Sequence, residues 1–528
     1  MGTVTDNRST ARNFSTRLTS TATWNARPWA NLKTSVGADY TNSEQDNVNS
    51  TGSTLPPGGT SVGAASTRNA SQTQPTVVKT LGFYVQEQVA LRDRLFLTGA
   101  VRSDQNSAFG TNFQSVVYPK ASVSWVVSEE NFFPRMRWLD QLRLRTSFGA
   151  SGVQPGATTA LVTFSAASVS VPSRGGTTGV NTPGLTASQP GLPDLKPETS
   201  KEYEGGFEAQ ILNSRVRLEY TYYTRQSYDA LVSVPLAPSS SAPQLNVFQN
   251  VGSIKNSGHE VQISAQIVDR PWFGWDVTVN GSHNTNVVVN LGLDPSTNAR
   301  RIIGLGGTTQ QREGLPINGQ WYRPYTYEDK NKDGVLQWNS VDALSEVHVD
   351  SVLVFKGVTA PRDIFSIQQG FDLFKRTLRV TASFDYKGGF NVQDGGNNFQ
   401  CNTDPRACAE TQDPKSPLNE QARNIAKTYG SNLGGTNFKT SGGYFMSGQF
   451  WRWRELALAY TLPSAATRLI RSAAGSTLVV GVRNLHVWTG FTDVDPEINQ
   501  GLAQNDNQTN FQSAPPPTYI TLRLNLKY

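Results

Sequence analysis

The 528-residue sequence has no apolar run approaching the ~18 residues that a membrane-crossing helix needs. A protein that spans a bilayer with helices is therefore excluded. Helical periodicity is scarce throughout. Lys and Arg exceed Asp and Glu by a net +6 but are dispersed, so the clustered basic patch expected of a nucleic-acid partner is missing. Histidine is rare: His259, His283, His348 and His486 lie far apart, with no metal-ligand spacing among them. Cysteine is rarer still. Cys401 and Cys408 can close one small loop in an oxidising compartment, or stay as two thiols; they are not a C-x-x-C pair, which favours a stabilising clip over a redox site. No nucleophile elbow, phosphate loop or dinucleotide fingerprint accompanies the glycines, so GLGG at 304–307 reads as a loop and no enzyme is expected. The opening residues, MGTVTDNRST, lack the basic and apolar regions of a signal peptide.

What is present is alternation. The chain is polar on average, with a mean hydropathy of -0.42, yet rich in Tyr, Phe and Trp. A transmembrane barrel has that profile because only every second residue faces lipid. Leu378, Val380, Ala382, Phe384 and Tyr386 alternate with Arg379, Thr381, Ser383 and Asp385; Val261, Ile263, Ala265 and Ile267 alternate with Gln262, Ser264 and Gln266. The same period marks residues 142–148, 216–222, 275–280 and 520–528. Many such segments run about 10 to 14 residues, enough for the ~9–11 of a tilted membrane strand and longer than the usual soluble strand. Around Trp451 and Trp453 the phase breaks before Leu456, which predicts a bulge or a crossing of the barrel rim.

Connections sort by length. Short links near 25–28, 92–94, 212–214, 268–273 and 374–376 take turns with long Gly, Ser, Thr and Asn-rich segments near 43–77, 151–197, 230–253, 388–443 and 489–513. Short periplasmic turns and long external loops are the habit of an up-and-down barrel. The expected fold is all-β: a large antiparallel transmembrane β-barrel segment of about 15 strands, or about 17 if 302–360 adds a pair. The C-terminus then points to the periplasm. An odd count, together with the missing signal peptide, predicts that further strands precede residue 1. A non-energised porin-like barrel and a soluble adhesin-like β-array are the competing readings.

Several segments in order carry a resemblance. RSDQNSAFG (102–110), with Gln105 where Gly is usual, is followed by YPKASVSWVVSEENFF (118–133), LRLRTSFGASGVQ (142–154) and LKPETSKEYEGGFE (195–208). Then come NVGSIKNSGHEVQI (250–263), with His259 where an apolar residue is usual, DKNKDGVL (329–336), RWRELALAYTLP (452–463) and VRNLHVWTGFTDVDPE (482–497). Together they resemble the C-terminal barrel portion of the SusC/RagA-like family of TonB-linked outer-membrane proteins. The resemblance implies a barrel of about 22 strands with an internal plug in the Gram-negative outer membrane. It also implies energy supplied through TonB, a SusD-like surface lipoprotein as lid, and import of bulky nutrients such as oligosaccharides or peptides. The family's signal peptide, periplasmic domain, plug and first strands have no counterpart in residues 1–528, which are expected to be barrel throughout.

Candidate sites are few. Asp329, Asn331 and Asp333 with Gly334 open a calcium loop in which alternating oxygens converge on a hard cation. Ser340 stands where the bidentate Glu belongs, and Glu346 or a backbone carbonyl can complete a looser site. A plain polar turn is the alternative, and no other cofactor is expected. Trp321, Tyr322, Tyr325, Trp488 and Phe491 fall near loop or rim positions and are candidates to stack on a ligand, although a membrane-interface girdle needs such residues too.

Overall fold

The computed structural model describes residues 2–72, 75–111, 115–172, 179–235, 246–294, 297–304, 309–403, 408, 413–463, 467, 475–498, 509–511 and 514–527. Tyr528 and residues 305–307 of the GLGG segment lie outside them. A 16-stranded antiparallel sheet dominates. Fifteen of its strands pair with their neighbours in chain order, the other (Thr67–Gln72) being a flap on the second strand. In order they are β1 (Gly2–Arg27), β2 (Ala30–Leu55), β3 (Thr76–Leu91), β4 (Leu95–Asn106), β5 (Val116–Val126), β6 (Leu139–Val153), β7 (Glu198–Ile211) and β8 (Val216–Pro235). There follow β9 (Asn246–Asp269), β10 (Phe273–Asn290), β11 (Asp363–Leu373), β12 (Leu378–Gly388), β13 (Phe450–Thr461), β14 (Gly475–Thr489) and β15 (Tyr519–Lys527).

The short links are where the sequence predicts them. Two of them hold three-residue runs of left-handed residues without glycine, Leu212–Asn213–Ser214 and Phe374–Lys375–Arg376. Such residues cost about 1–2 kcal/mol each. They persist because the flanking ladders, Ile211 to Val216 and Leu373 to Leu378, leave the chain no longer route. Residues 302–360 add no pair to the wall. They form a small sheet of their own (Ile303–Gly304, Thr309–Gln311, Gly319–Tyr322, Val354–Gly357) and a ribbon of Tyr325–Tyr327 with Val347–Val349, because their strands are too short to span a membrane. Residues 43–55, expected as loop, continue β2 in register with β1 from Gly2 opposite Leu55 to Arg27 opposite Ala30.

Directly paired residues share a face, so the register resolves the sheet into two surfaces. One carries Val261, Ile263, Ala265 and Ile267 on β9, Trp275, Val277 and Val279 on β10, and Phe365, Ile367 and Phe371 on β11. Leu378 to Tyr386 on β12 and Leu456 to Tyr460 on β13 continue it. Aromatics frame this apolar band. At the long-loop end stand Tyr222, Tyr386, Trp451 and Trp488; at the short-turn end stand Trp272, Trp275, Phe371 and Tyr460. Glu87 on β3 interrupts the band and accepts the Thr34 hydroxyl. The other surface carries most of the Arg, Asp and Glu side chains of the wall. An apolar band between two aromatic girdles is the lipid-facing side of a membrane barrel, and the charged surface is then its lumen.

The phase break at Trp453 is a bulge: the register shifts between Trp453 and Glu455 against β14 and between Ser383 and Phe384 against β12. Three long connections interlock at the same end. Residues 291–362 and 389–449 share a core of Leu336, Val347, Val349, Ala422, Ile425 and Ala426. The last three belong to a helix, α1 (Leu418–Thr428), within a stretch expected as loop; its apolar residues are too few for the composition to reveal it. Phe390, Val392, Phe450 and Phe491 form a second core that ties in residues 490–498.

Candidate functional site: the inner wall and its rim

The lumenal surface is a lattice of arginines bridged to carboxylates across the strands. Arg102 on β4 reaches past β3 to Asp39 on β2 (Nη1 to Oδ2, 2.6 Å), while Arg17 on β1 meets the other Asp39 oxygen at 2.5 Å and Asp104 holds the Arg102 Nε at 2.8 Å. Gly82 makes that span feasible. A Cβ there would sit 2.2 Å from both Arg102 Nη2 and Asp104 Oδ1. Arg379 on β12 uses the same device, crossing β11 over Gly370 to Asp276 on β10 at 2.9 Å, with Asp372 at 3.1 Å. Arg145 on β6 crosses β7 opposite Gly206 to reach Glu219 (2.7 Å) on β8. Shallow depressions of about 300 Å³ and 320 Å³ lie on this wall. Glu219, Thr221, Glu260, Gln262 and Asn280 line the first, and Arg143, Arg145, Ser147, Glu204 and Glu208 the second. Such a surface offers hydrogen-bond donors and acceptors of both charges to a polar solute.

Gly82→Val is expected to push the Arg102 guanidinium off Asp39 and to cost about 1–3 kcal/mol as an overpacking change. Gly99, whose Cβ would meet nothing within 4 Å, is the comparison: Gly99→Ala is expected to leave stability unchanged. Urea unfolding of the membrane-inserted protein, followed by its heat-dependent gel mobility, distinguishes the two.

Segments singled out in the sequence meet at the rim. Ala108 and Phe109 are buried, and the Gly110 amide donates to the Leu195 carbonyl at 3.0 Å, where a Cβ on Gly110 would collide with the Pro193 oxygen at 2.1 Å. Asn250 clasps the Lys196 backbone from both sides, accepting from its amide (3.1 Å) and donating to its carbonyl (2.9 Å). Further round, the bulge turns Arg452 and Arg454 inward together. Arg452, with its side chain 4% exposed, donates from a single nitrogen, Nη2, to both oxygens of Asp495 at 2.6 and 2.7 Å. Arg454 bridges Asp385 (2.7 Å) and Glu497 (3.0 Å), and Lys387 also reaches Glu497 at 3.0 Å. This latch fastens residues 493–497 to the wall.

Burial alone would raise the Glu497 carboxyl, but the bonds from Arg454 and Lys387 outweigh it and hold it down at about 2. A depressed acid stabilises the fold above its ordinary value, and that contribution disappears as pH falls from the usual carboxylate range through about 2. Amide exchange of Val494 to Ile498, corrected for intrinsic rates, should therefore lose protection on acidification. Asp493 has the opposite sense: burial first, then the charge of Asp394, pushes its carboxyl up and favours the neutral form.

The loop at Asp329 closes on itself. Asp329 Oδ2 accepts from the Gly334 amide (2.9 Å), Asn331 Oδ1 from Asp333 (3.1 Å) and Asp333 Oδ1 from Val335 (2.8 Å). Glu346, buried, accepts the amides of Lys330 (2.9 Å) and Gln337 (2.7 Å). The other Asp329 oxygen is buried and unpartnered among the described residues. Cys401 and Cys408 are joined in a disulfide. Trp321 and Tyr322 are buried under the rim, Arg312 lying 3.7 Å over the Trp321 ring, and burial drives the Tyr322 phenol far above its ordinary range. Tyr325 packs against the first core and Phe491 is part of the second, and Trp488 stands 47% exposed in the outer girdle beside Trp451. His348 pairs with Asp342 at 3.2 Å, and His486 packs edge-on against Trp488. Among the described residues no three His, Cys, Asp or Glu side chains are placed to hold a metal ion. Sequence reasoning missed the arginine bridges, whose one legible signal was a charge alternating with apolar residues.

Known proteins share this architecture. Two structures of RagAB, one described as a peptide transporter and one as a peptide importer in an "open-open" state, superimpose with TM-scores of 0.73 and 0.76. In both the identity is 20%, covering 99% of this chain and 56% of theirs. TonB-dependent receptor P26 of Formosa agariphila is 25% identical across 88% of this chain and 47% of its own length. TonB-dependent receptor SusC of Bacteroides thetaiotaomicron is 24% identical across 83% and 43%. The chain thus spans about half the length of the curated relatives it matches. The model of TonB dependent receptor-like β-barrels matches residues 2–528, and with that architecture and that match the chain belongs to this family of outer-membrane barrels.

Proposed function

We propose that this chain is the barrel wall of a TonB-energised importer that carries bulky polar nutrients, oligosaccharides or peptides, across the outer membrane, with its C-terminus in the periplasm. The observation that carries the reading is the lumenal lattice: paired charges and open hydrogen-bonding depressions inside a band of membrane height. The substrate classes are those that the names of similar proteins suggest. A plug, and strands that close the wall, would come from sequence before residue 1. In support, β1 pairs only with β2 and β15 only with β14 among the described residues, and bare strand edges are not stable in lipid. The interlocked rim is the surface a SusD-like lipoprotein would cover, and TonB would act from the periplasmic side.

The test is an in-frame deletion in the native organism, followed by uptake of labelled oligosaccharides and peptides with and without an uncoupler. Loss of uptake of at least one bulky class, with the parental uptake abolished by the uncoupler, is expected. Unchanged uptake of every class, or uptake indifferent to the uncoupler, contradicts the proposal.

A further inference from the structure

The lipid-facing surface is not uniformly apolar at its outer margin. Tyr222, His259, His283 and Asp363 stand directly opposite one another on β8, β9, β10 and β11, forming one row across four strands. Most of it is internally satisfied: the His259 Nδ1 and Tyr220 hydroxyl are hydrogen-bonded at 2.7 Å, and His283 Nδ1 lies 2.5 Å from Asp363. Four residues further out, about 10 Å along the barrel axis for a tilted strand, a second row follows on the same face. Lys201 on β7 is opposite Gln226 on β8, which is opposite Lys255 on β9. Both lysines are exposed, and neither has an ion pair among the described residues. The Lys201 ammonium is held over the Tyr228 ring at 5.4 Å. The two Cα atoms are two strand spacings apart, roughly 10 Å, which side chains of this length close readily around one anion.

We propose that Lys201 and Lys255 form a binding site for the phosphate of an anionic lipid headgroup in the outer leaflet, with Gln226 between them as a neutral hydrogen-bonding partner. The proposal rests on the membrane-barrel reading. That reading sets the row just beyond the apolar band and its girdle, at headgroup depth, and turned away from the lumen. Lipid phosphates lie at that depth and on that side, and uncompensated lysines attract them. A soluble anion in transit would meet the lumenal arginines instead. The site would fix the azimuth of the wall relative to its nearest lipids.

The experiment is native mass spectrometry of the full-length protein, extracted from outer membranes in mild detergent and titrated with lipid A or, separately, phosphatidylcholine. Tight lipid A binding is expected, weakened about tenfold or more in K201Q/K255Q. It should be retained in Lys120→Gln, whose residue on β5 shares the lumenal face opposite Ala100 and Gly149, and millimolar inorganic phosphate should not displace it. Equal binding of the two lipids, unchanged binding in the double variant, or displacement by free phosphate overturns the site while the barrel stands. Recovery of the protein without detergent, lacking a heat-dependent mobility shift, overturns the barrel reading and the site with it.

Discussion

Arg452→Ala is expected to release residues 490–498 from the wall, with a local cost of about 3–5 kcal/mol, the usual penalty for removing one partner of a buried ion pair. The size follows from what stays behind. Asp495, with its side chain 5% exposed, would keep a buried carboxylate that has lost both bonds from the guanidinium and retains the Glu497 amide on Oδ1 at 2.9 Å. Its neighbour Glu497 would lose the Arg452 Nε at 3.2 Å but keep Arg454 and Lys387. The damage should therefore stay local. Amide exchange at Val494, Asp495, Glu497 and Ile498 should accelerate by about two to three and a half orders of magnitude, at roughly 1.4 kcal/mol per decade. The β12–β13–β14 ladders should keep their protection. Arg452→Lys, which retains the charge but not the Nε facing Glu497 at 3.2 Å, should fall between the two, and removing Asp495 as well should recover part of the loss. Equal destabilisation of the whole barrel would mean that Arg452 supports the wall rather than the loop.

The second large effect concerns faces. Ile367 lies mid-band on β11, opposite Val279 and Phe384, while Gln368 beside it faces the lumen opposite Thr278 and Ser383. Ile367→Arg should cost about 2–4 kcal/mol by placing a cation against hydrocarbon, whereas Gln368→Arg should cost less than about 1 kcal/mol. Urea midpoints for the two variants refolded into lipid vesicles give the comparison. The same one-residue step on a soluble sheet would reverse no preference, because arginine is tolerated on a solvated face.

These contrasts mark what the sequence could and could not reveal. The wall was legible because a strand with two different solvents on its faces must alternate, and Leu378 to Tyr386 does so without a break. The bulge was legible for the same reason: Trp451, Trp453 and Leu456 cannot share one face without an extra residue. The rim was not. In α1 the apolar residues Leu418, Ala422, Ile425 and Ala426 do recur at helical spacing and face the core, but over only 11 residues and beside buried polar Gln421 and Asn424, so the period is too short to stand out from the polar stretch around it. Whether the 302–360 segment adds a pair to the wall stayed open because local pattern carries no information on whether a short strand joins the wall or pairs within its own loop. The lumenal bridges were hidden for a different reason. Arg102 and Asp39 are 63 positions apart, and only the register across Gly82 brings them together. The functional surface therefore emerges from alternation, which is local, combined with register, which is not.

The most direct test of the account is a cysteine scan of β12. Single cysteines placed at each position from 378 to 386, in the protein held in outer membranes, would be treated with a membrane-impermeant maleimide and separately with a lipid-partitioning probe. The account predicts strict alternation: positions 379, 381, 383 and 385 react with the aqueous reagent, and 378, 380, 382, 384 and 386 only with the lipid-phase probe. Aqueous reactivity at every position would contradict it and leave a water-exposed β-array in place of a membrane wall.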